Sequence, residues 1–173
     1  MSDLIGRVSF VGDLLFLNLG PRRGMRKGTS ALAWYERGCE LEASDPAAAI
    51  AAYHRALAGR PDLADAHNNL GRLLHDRGDL AAAEAHYRLA LCTGPAVALY
   101  WFNLGVVLED GGRAAEAIGA YEQALVLDGS LADAHFNFAR QIERFARFAD
   151  DEVMLRRAVR HLKQYRELSR AMG

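Results

Sequence analysis

The sequence predicts an all-α fold of stacked helix pairs, and three observations lead to that class. Residues 67–91 and 101–125 repeat each other at an interval of 34 residues. Apolar residues within each unit recur at helical spacing. Glycine and proline stand between these segments, where helices have to end. A period of this length indicates a solenoid, in which each unit buries its apolar face against the next.

The repeat extends beyond these two stretches as four series of matched positions. Most members are 34 residues apart; the first series contains one spacing of 33, and the second and third reach unit four after 41. Small residues let paired helices approach closely, and an aromatic ring fills the space beneath them. The series are Gly38, Gly71, Gly105 and Ala139; Ala49, Ala83, Ala117 and Ala158; Tyr53, Tyr87, Tyr121 and Leu162; and Ala56, Ala90 and Ala124.

Each unit is predicted to hold two helices joined by a short turn. Leu70, Leu73 and Leu74 have the i, i+3, i+4 spacing of an amphipathic helix. Gly78 suits the left-handed position that ends this helix, and Asp79 stands where the N-cap of the second helix belongs. The turn between the helices is therefore fixed by local signals.

The fourth unit departs from this pattern, because residues 143–154 replace the short turn. We expect its first helix to end near Phe148 and the acidic run 150–152 to start the last helix, where the helix dipole favours negative charge. The basic last helix is interpreted as the polar cap of the array. Contact with an anion such as nucleic acid is the alternative. Its basic residues are Arg156, Arg157, Arg160, Lys163, Arg166 and Arg170.

The order Leu-Gly, Gly, Ala, Tyr, Ala and Pro over about residues 31–171 resembles the tetratricopeptide repeat (TPR). The resemblance implies a right-handed α-solenoid of antiparallel helix pairs, with a groove lined by the first helix of each pair. It divides the chain into a non-repeat segment with a basic linker, 1–28, and a TPR domain, 29–173. Three regular repeats and a degenerate C-terminal repeat or cap are expected, at about 31–61, 62–95, 96–129 and 130–171.

One amide recurs without an obvious packing reason, at Asn69, Asn103 and Asn137. The TPR resemblance places it in the groove, similar to the asparagine ladder of protein O-GlcNAc transferases. An amide both donates and accepts hydrogen bonds, so each Asn could pair with one peptide unit of a ligand. Neighbouring groove helices should lie about 10 Å apart, and an extended chain advances about 3.3 Å per residue. Successive Asn residues could therefore meet a bound peptide at about every third ligand residue. The alternative is that each amide bonds only to a neighbouring helix.

We therefore predict a non-catalytic adaptor that binds an extended peptide or protein segment in the groove. The ladder would hold the ligand backbone, and neighbouring side chains would set selectivity. The carboxylate clamp of other TPR domains is not expected, because it needs Lys and Arg where this chain has Asn68, Phe102 and Phe136. The predicted peptide-binding residues are Asn69, Asn103, Asn137, Asn68, Arg72, Phe102, Val106, Phe136 and Arg140.

The sequence offers no sign of catalysis, a metal site or a cofactor. It has no His-Glu-x-x-His helix, no Cys-His cluster and no Gly-x-Ser-x-Gly elbow. Segment 20–30 is not a phosphate-binding loop, because Lys27 precedes Gly28. Cys39 and Cys92 are expected to be buried and reduced.

The histidines are expected to have structural or solvated roles. His67 and His135 occupy the position of Trp34 and Trp101 in the other units, so we expect partly buried packing residues. His54 and His86 lie next to Tyr53 and Tyr87 and are expected to be solvated, and His75 and His161 have no partner at metal-ligand spacing.

Charge is distributed unevenly along the chain. Residues 29–139 hold seven Lys/Arg and fifteen Asp/Glu, whereas both flanking segments are basic. The acidic middle favours a neutral-to-basic ligand in the groove. The alternative is a regulatory or nucleic-acid-associated module that uses both basic ends, although we do not expect nucleic acid as the main partner. The N-terminal basic residues in question are Arg22, Arg23, Arg26 and Lys27.

Residues 1–28 are apolar but do not form a signal peptide, because the basic cluster follows the apolar stretch. No apolar run approaches the roughly 20 residues of a membrane span, so a cytoplasmic location is expected. The sequence leaves open whether this segment covers its own repeats or mediates self-association. The array 31–127 also resembles TPR tails of bacterial MerR-like regulators, and the composition is consistent with a bacterial source.

Overall fold

The computed structural model describes residues 29–172, which form eight α-helices and no strand. Consecutive helices pack as pairs, and each pair packs on the next, which confirms the predicted all-α solenoid. The predicted N-terminal segment and basic linker, 1–28, lie outside the described residues. The helices are α1 (Ala31–Leu41), α2 (Pro46–Gly59), α3 (Ala64–Asp76), α4 (Leu80–Thr93), α5 (Ala98–Asp110), α6 (Ala114–Leu127), α7 (Ala132–Ala149) and α8 (Glu152–Met172).

Local side-chain bonds set where the second helices begin. The Asp45 carboxylate accepts the backbone N–H of Ala48 at 3.0 Å, and Asp79 accepts that of Ala82 at 3.2 Å. Gly78, in the turn before α4, has φ +80°. This is the left-handed backbone that the sequence predicts there, and it suits glycine because glycine has no Cβ.

A tyrosine fills the space between the helices of each regular pair. Tyr53, Tyr87 and Tyr121 are at most 1 % exposed. A Cβ at Gly105 would lie only 2.5 Å from the Tyr121 ring, so this position accepts no larger residue without a shift in the ring. The repeating Gly and Tyr of the sequence are thus one packing unit.

The last pair is lengthened at the turn, as the sequence predicts. Helix α7 has 18 residues where α5 has 13, and it ends at Ala149. Asp150 then adopts a left-handed backbone with φ 53°. Asp151 caps α8 by accepting the backbone N–H of Met154 at 2.9 Å. The extra turn of α7 leaves Phe148 95 % exposed.

The odd-numbered helices lie on the same side of the solenoid. Helices α3 and α5 pack directly against each other. Side chains also form bonds from α3 to the end of α1, from α5 to α3 and from α7 to α5. We call the surface formed by α1, α3, α5 and α7 the groove.

Candidate peptide-binding groove

The recurring amides lie half-buried along the groove, and two of the three lie beside a recurring tyrosine. The Asn69 Nδ2 donates to the Tyr53 hydroxyl of the preceding pair at 3.3 Å. Asn137 lies beside the Tyr121 hydroxyl. Part of the reason for the repeated amide is therefore internal: it partners the buried tyrosine of the preceding repeat.

Two of these tyrosines belong to matching polar networks across repeats. In the first network, the Tyr53 hydroxyl donates to Glu42 at 2.5 Å, and Arg72 forms an ion pair with the same carboxylate. Burial, followed by hydrogen bonds with Cys39 and Glu42, raises the pKa of Tyr53. The tyrosine hydroxyl therefore stays protonated and acts as a donor.

The second network repeats this arrangement two units later. The Tyr121 hydroxyl donates to Glu109 at 2.9 Å, and Arg140 forms an ion pair with that carboxylate. The predicted selectivity residues Arg72 and Arg140 are thus engaged with internal carboxylates.

Between the two networks the contacts change. His75 and Val106 occupy the positions of the network Glu and Arg. The Asn103 Nδ2 instead donates to Asn68 Oδ1 at 2.8 Å, and the Asn68 Nδ2 donates to Asn69 Oδ1 at 3.2 Å. Asn68 is only 6 % exposed, and its side chain connects the two groove amides Asn69 and Asn103.

The remaining predicted residues make the C-terminal half of the groove apolar. Phe102 and Val106 are half-buried, and the Phe102 ring packs 5.9 Å from that of Tyr121. Phe136 is 39 % exposed and stacks on Tyr165 with ring centroids 5.2 Å apart. Apolar side chains accessible in a groove are surfaces that a ligand can bury.

Sequence reasoning missed an open pocket of about 460 Å³ at this end of the groove. Its walls include Leu99 from α5, Leu131 and Asp133 at the start of α7, and Tyr165 from α8. One signal was present: Tyr165 stands 41 residues after Ala124, where the other units have alanine. We call this cavity the terminal pocket.

Histidine pairs occur on α3–α4 and α7–α8. His67 and His135 are partly buried packing residues, as predicted. The expectation that His86 is solvated is wrong, because its Nδ1 lies 3.0 Å from Nδ1 of His67. His161 forms the matching pair, with its Nδ1 2.7 Å from Nδ1 of His135. These rings share space inside a helix pair, which linear spacing did not reveal.

The remaining histidines and the two cysteines are more accessible. His54 is exposed, as predicted, and His75 bonds to Asp110 at 2.7 Å. Cys39 and Cys92 are free but exposed, so the prediction that they are buried is wrong.

Within 29–172, no group of three or more His, Cys, Asp or Glu is placed to hold a metal ion. None of the eight helices combines the length and apolar character needed to cross a membrane.

A stack of helix pairs with one side-chain-lined groove defines a helical-repeat protein. Tetratricopeptide repeat models match residues 40–96 and 98–131, together more than half of the chain. The chain therefore belongs to the tetratricopeptide repeat family. This family consists of interaction scaffolds, which places the chain, in general terms, among protein-interaction adaptors.

Solved structures with the same fold include MamA and PilF. One MamA structure has a TM-score of 0.73 and 18% identity over 84% of this chain and 82% of that chain. MamA from Desulfovibrio magneticus RS-1 gives 0.70 and 21%, covering 83% and 78%. Pseudomonas aeruginosa PilF gives 0.71 and 19%, covering 82% and 62%. No protein of curated function matches the chain in sequence.

Proposed function

We propose that the protein is a non-catalytic adaptor that binds an extended peptide or protein segment in the groove. The observation that carries this proposal is the exposure of apolar side chains in the C-terminal half of the groove, beside amides with unused hydrogen-bonding atoms. Phe136 and Leu99 are 39 % and 48 % exposed there. Internal contacts already occupy the polar N-terminal half.

Asn103 is the amide best placed to hold a ligand backbone. Its Nδ2 donates to Asn68, but its Oδ1 has no partner among the described residues. The side chain is half-buried and therefore held in place, while part of it still faces solvent. A side chain that is already ordered loses less conformational entropy when it binds a ligand.

The proposal can be tested with peptides selected from a random display library against the full chain. The best peptide is then titrated against the wild type, Asn103→Ala and Val126→Ser, with binding followed by fluorescence polarisation. Loss of one hydrogen bond costs about 1 kcal/mol, so Asn103→Ala should weaken binding roughly fivefold. Val126, on α6 and 74 % exposed, serves as the control outside the groove.

Two results count against the proposal. One is a library selection that enriches no peptide although circular dichroism shows a helical protein. The other is a peptide whose affinity falls as much with Val126→Ser as with Asn103→Ala.

The alternative function, anion binding by basic α8, has weaker support. Three basic residues of α8 form ion pairs: Arg156 with Glu152, Arg157 with Glu122 and Lys163 with Glu167. The N-terminal basic residues lie outside the described range. If α8 bound phosphates, the affinity would fall steeply as the salt concentration rises from about 50 to 200 mM. The affinity of a peptide bound in the groove should change little over the same range.

A further inference from the structure

The terminal pocket owes one wall to Tyr165, which stands in the last helix pair where the other pairs have alanine. Ala56, Ala90 and Ala124 are fully buried in pairs that a further pair follows. No helix follows α8 within the described residues, and the matching position holds Tyr165. Its ring packs back onto Phe136 at 5.2 Å and forms a wall at the end of the groove.

The pocket walls are largely apolar. Leu99 is 48 % exposed, and Phe102, Leu131 and Tyr165 are half-buried around the same cavity. Its volume of about 460 Å³ lies in the range of sites that enclose small organic groups. These properties match a large apolar side chain better than a charged one.

One pocket residue carries a charge that no side chain among the described residues pairs with. Two repeats earlier, Asp65 accepts a hydrogen bond from the Tyr100 hydroxyl of the following pair. Asp133 holds the matching position in the last pair and has no hydrogen-bond or ion-pair partner among the described residues. A cation supplied by a ligand would complete this contact.

Nearby charges do not cancel this carboxylate. Arg166 and Arg170 lie beside Tyr165 and Ser169 in sequence, but both are exposed and neither lines the pocket. Ser130, which does line it, directs its hydroxyl to Asp128 at 2.6 Å. Asp133 is therefore the one charged group among the pocket-lining residues.

Resting on the proposed groove function, we infer that the terminal pocket receives a large apolar side chain of the bound peptide, such as Phe, Leu or Met, and that Asp133 pairs with an adjacent Lys or Arg of that peptide. The partner is then a segment of another protein that carries an apolar–basic residue pair. The apolar walls determine where the peptide sits, and the carboxylate selects its charge.

Display selection on charge-reversed baits tests this inference. A phage library of random 12-residue peptides is selected separately on the full wild-type chain, on Asp133→Lys and on the outer-surface control Val126→Ser. Wild type and Val126→Ser should enrich peptides in which Phe, Leu or Met adjoins Lys or Arg. With Asp133→Lys, Asp or Glu should replace the basic neighbour, because the charge at the pocket is reversed.

The pocket wall is tested with a synthetic copy of the best wild-type peptide. Tyr165→Ala introduces the residue that the other units use at this position, so the helix should be retained, as circular dichroism can verify. The substitution removes most of one apolar wall and should weaken binding about tenfold. Burial of a large aromatic side chain raises affinity by roughly ten- to hundredfold. Unchanged affinity overturns the inference.

The remaining outcomes separate this inference from the proposed function. The selected peptides could lack the apolar–basic pair and bind Asp133→Lys as well as wild type, yet lose affinity with Asn103→Ala. That result would overturn the pocket inference but leave groove binding intact. No enrichment on any bait overturns both. A dimer that forms with rising concentration in sedimentation, and that Tyr165→Ala abolishes, would identify a second copy as the occupant and overturn the peptide assignment.

Discussion

At the scale of single residues, the repeated asparagine has two roles that sequence spacing alone could not separate. Asn69 and Asn137 contact a buried tyrosine hydroxyl, whereas Asn103 bonds to Asn68 and keeps a free oxygen. The difference arises because His75 replaces the network glutamate between the two networks. One recurring residue thus stabilises the stacking of repeats and still offers a polar atom in the groove.

The networks predict unequal effects of removing hydroxyl groups from equivalent tyrosines. Tyr121→Phe loses a hydrogen bond to a mostly buried carboxylate and should lower the free energy of unfolding by about 1.5 kcal/mol. Tyr87→Phe is the matched control, because the Tyr87 hydroxyl has no side-chain hydrogen bond among the described residues. Its free energy of unfolding should change by less than about 0.5 kcal/mol. Urea denaturation of both variants measures the difference, and equal losses would show that the hydroxyl–Glu109 bond contributes nothing specific.

At the scale of helix pairs, the same interior space is filled in two ways. His67 and His86 share it in the second pair, and His135 and His161 share it in the fourth. The matching positions in the third pair hold Trp101 and Ala120. In each case the first-helix ring contacts the backbone carbonyl six residues earlier, at Pro61, Pro95 or Gly129, with distances of 2.8–3.0 Å. The space is thus filled either by a large indole beside an alanine or by two imidazoles.

These contacts set the protonation of the imidazoles. A carbonyl only accepts, so Nε2 of His67 carries the hydrogen and its Nδ1 accepts from His86. Burial, followed by the neighbouring His67 and His54, lowers the pKa of His86 to about 4. Burial, followed by His135, Arg157 and Arg160, lowers that of His161 to about 4, against an opposing effect of Glu122.

The pairs therefore predict a loss of stability in mild acid. Between pH 6.5 and about 4, the unfolded chain binds protons that folded His86 and His161 do not, so stability falls as the pH decreases through this range. We expect a loss on the order of 1 kcal/mol for each pair. Thermal unfolding followed at pH values from about 7.5 to 5 measures this loss of stability, because an ordinary histidine titrates within that range.

The third helix pair supplies the control for this prediction. A variant with His67→Trp, His86→Ala, His135→Trp and His161→Ala uses the packing of Trp101 with Ala120 and keeps the other titratable groups. Its melting temperature should fall less in acid than that of the wild type. Identical pH profiles would mean that the histidine pairs do not titrate on unfolding.

The lengthened last pair gives a prediction about a helix start. Asp151 accepts the backbone N–H of Met154 at the beginning of α8. Asp151→Ala should cost about 1 kcal/mol in the free energy of unfolding, and Asp151→Asn, which keeps the cap, should cost less than half of that. Denaturant titration followed by circular dichroism compares the two; equal costs would contradict a capping role.

At the scale of the whole molecule, sequence predicted what the repeat period imposes and missed what depends on a neighbour in space. Gly105 and Tyr121 recur because every pair uses the same close contact, so the helix pairs could be read from spacing, whereas the groove was implied by the TPR resemblance. The partner of His86 could not, since it lies on the other helix of its pair. The open carboxylate of Asp133 depends on which helix packs beside α7, and no helix follows α8 within the described residues.

The charge of the solenoid is also organised at this scale. The ion pair of Arg157 with Glu122 connects the basic α8 to α6 of the acidic repeats. In the groove, Arg72 and Arg140 are satisfied internally, which leaves Asp133 as an uncompensated charge near the apolar surface. A neutral-to-basic ligand fits this distribution.

The most direct test of the account is to locate a selected peptide on the protein by NMR. Titration of the ¹⁵N-labelled full chain should shift backbone signals along the groove sides of α5 and α7, around Asn103 and Phe136, and leave those around Val126 unchanged. Shifts confined to α8 or to the outer face of α6 would contradict groove binding, because the ligand would then sit away from both the amides and the exposed aromatic side chains.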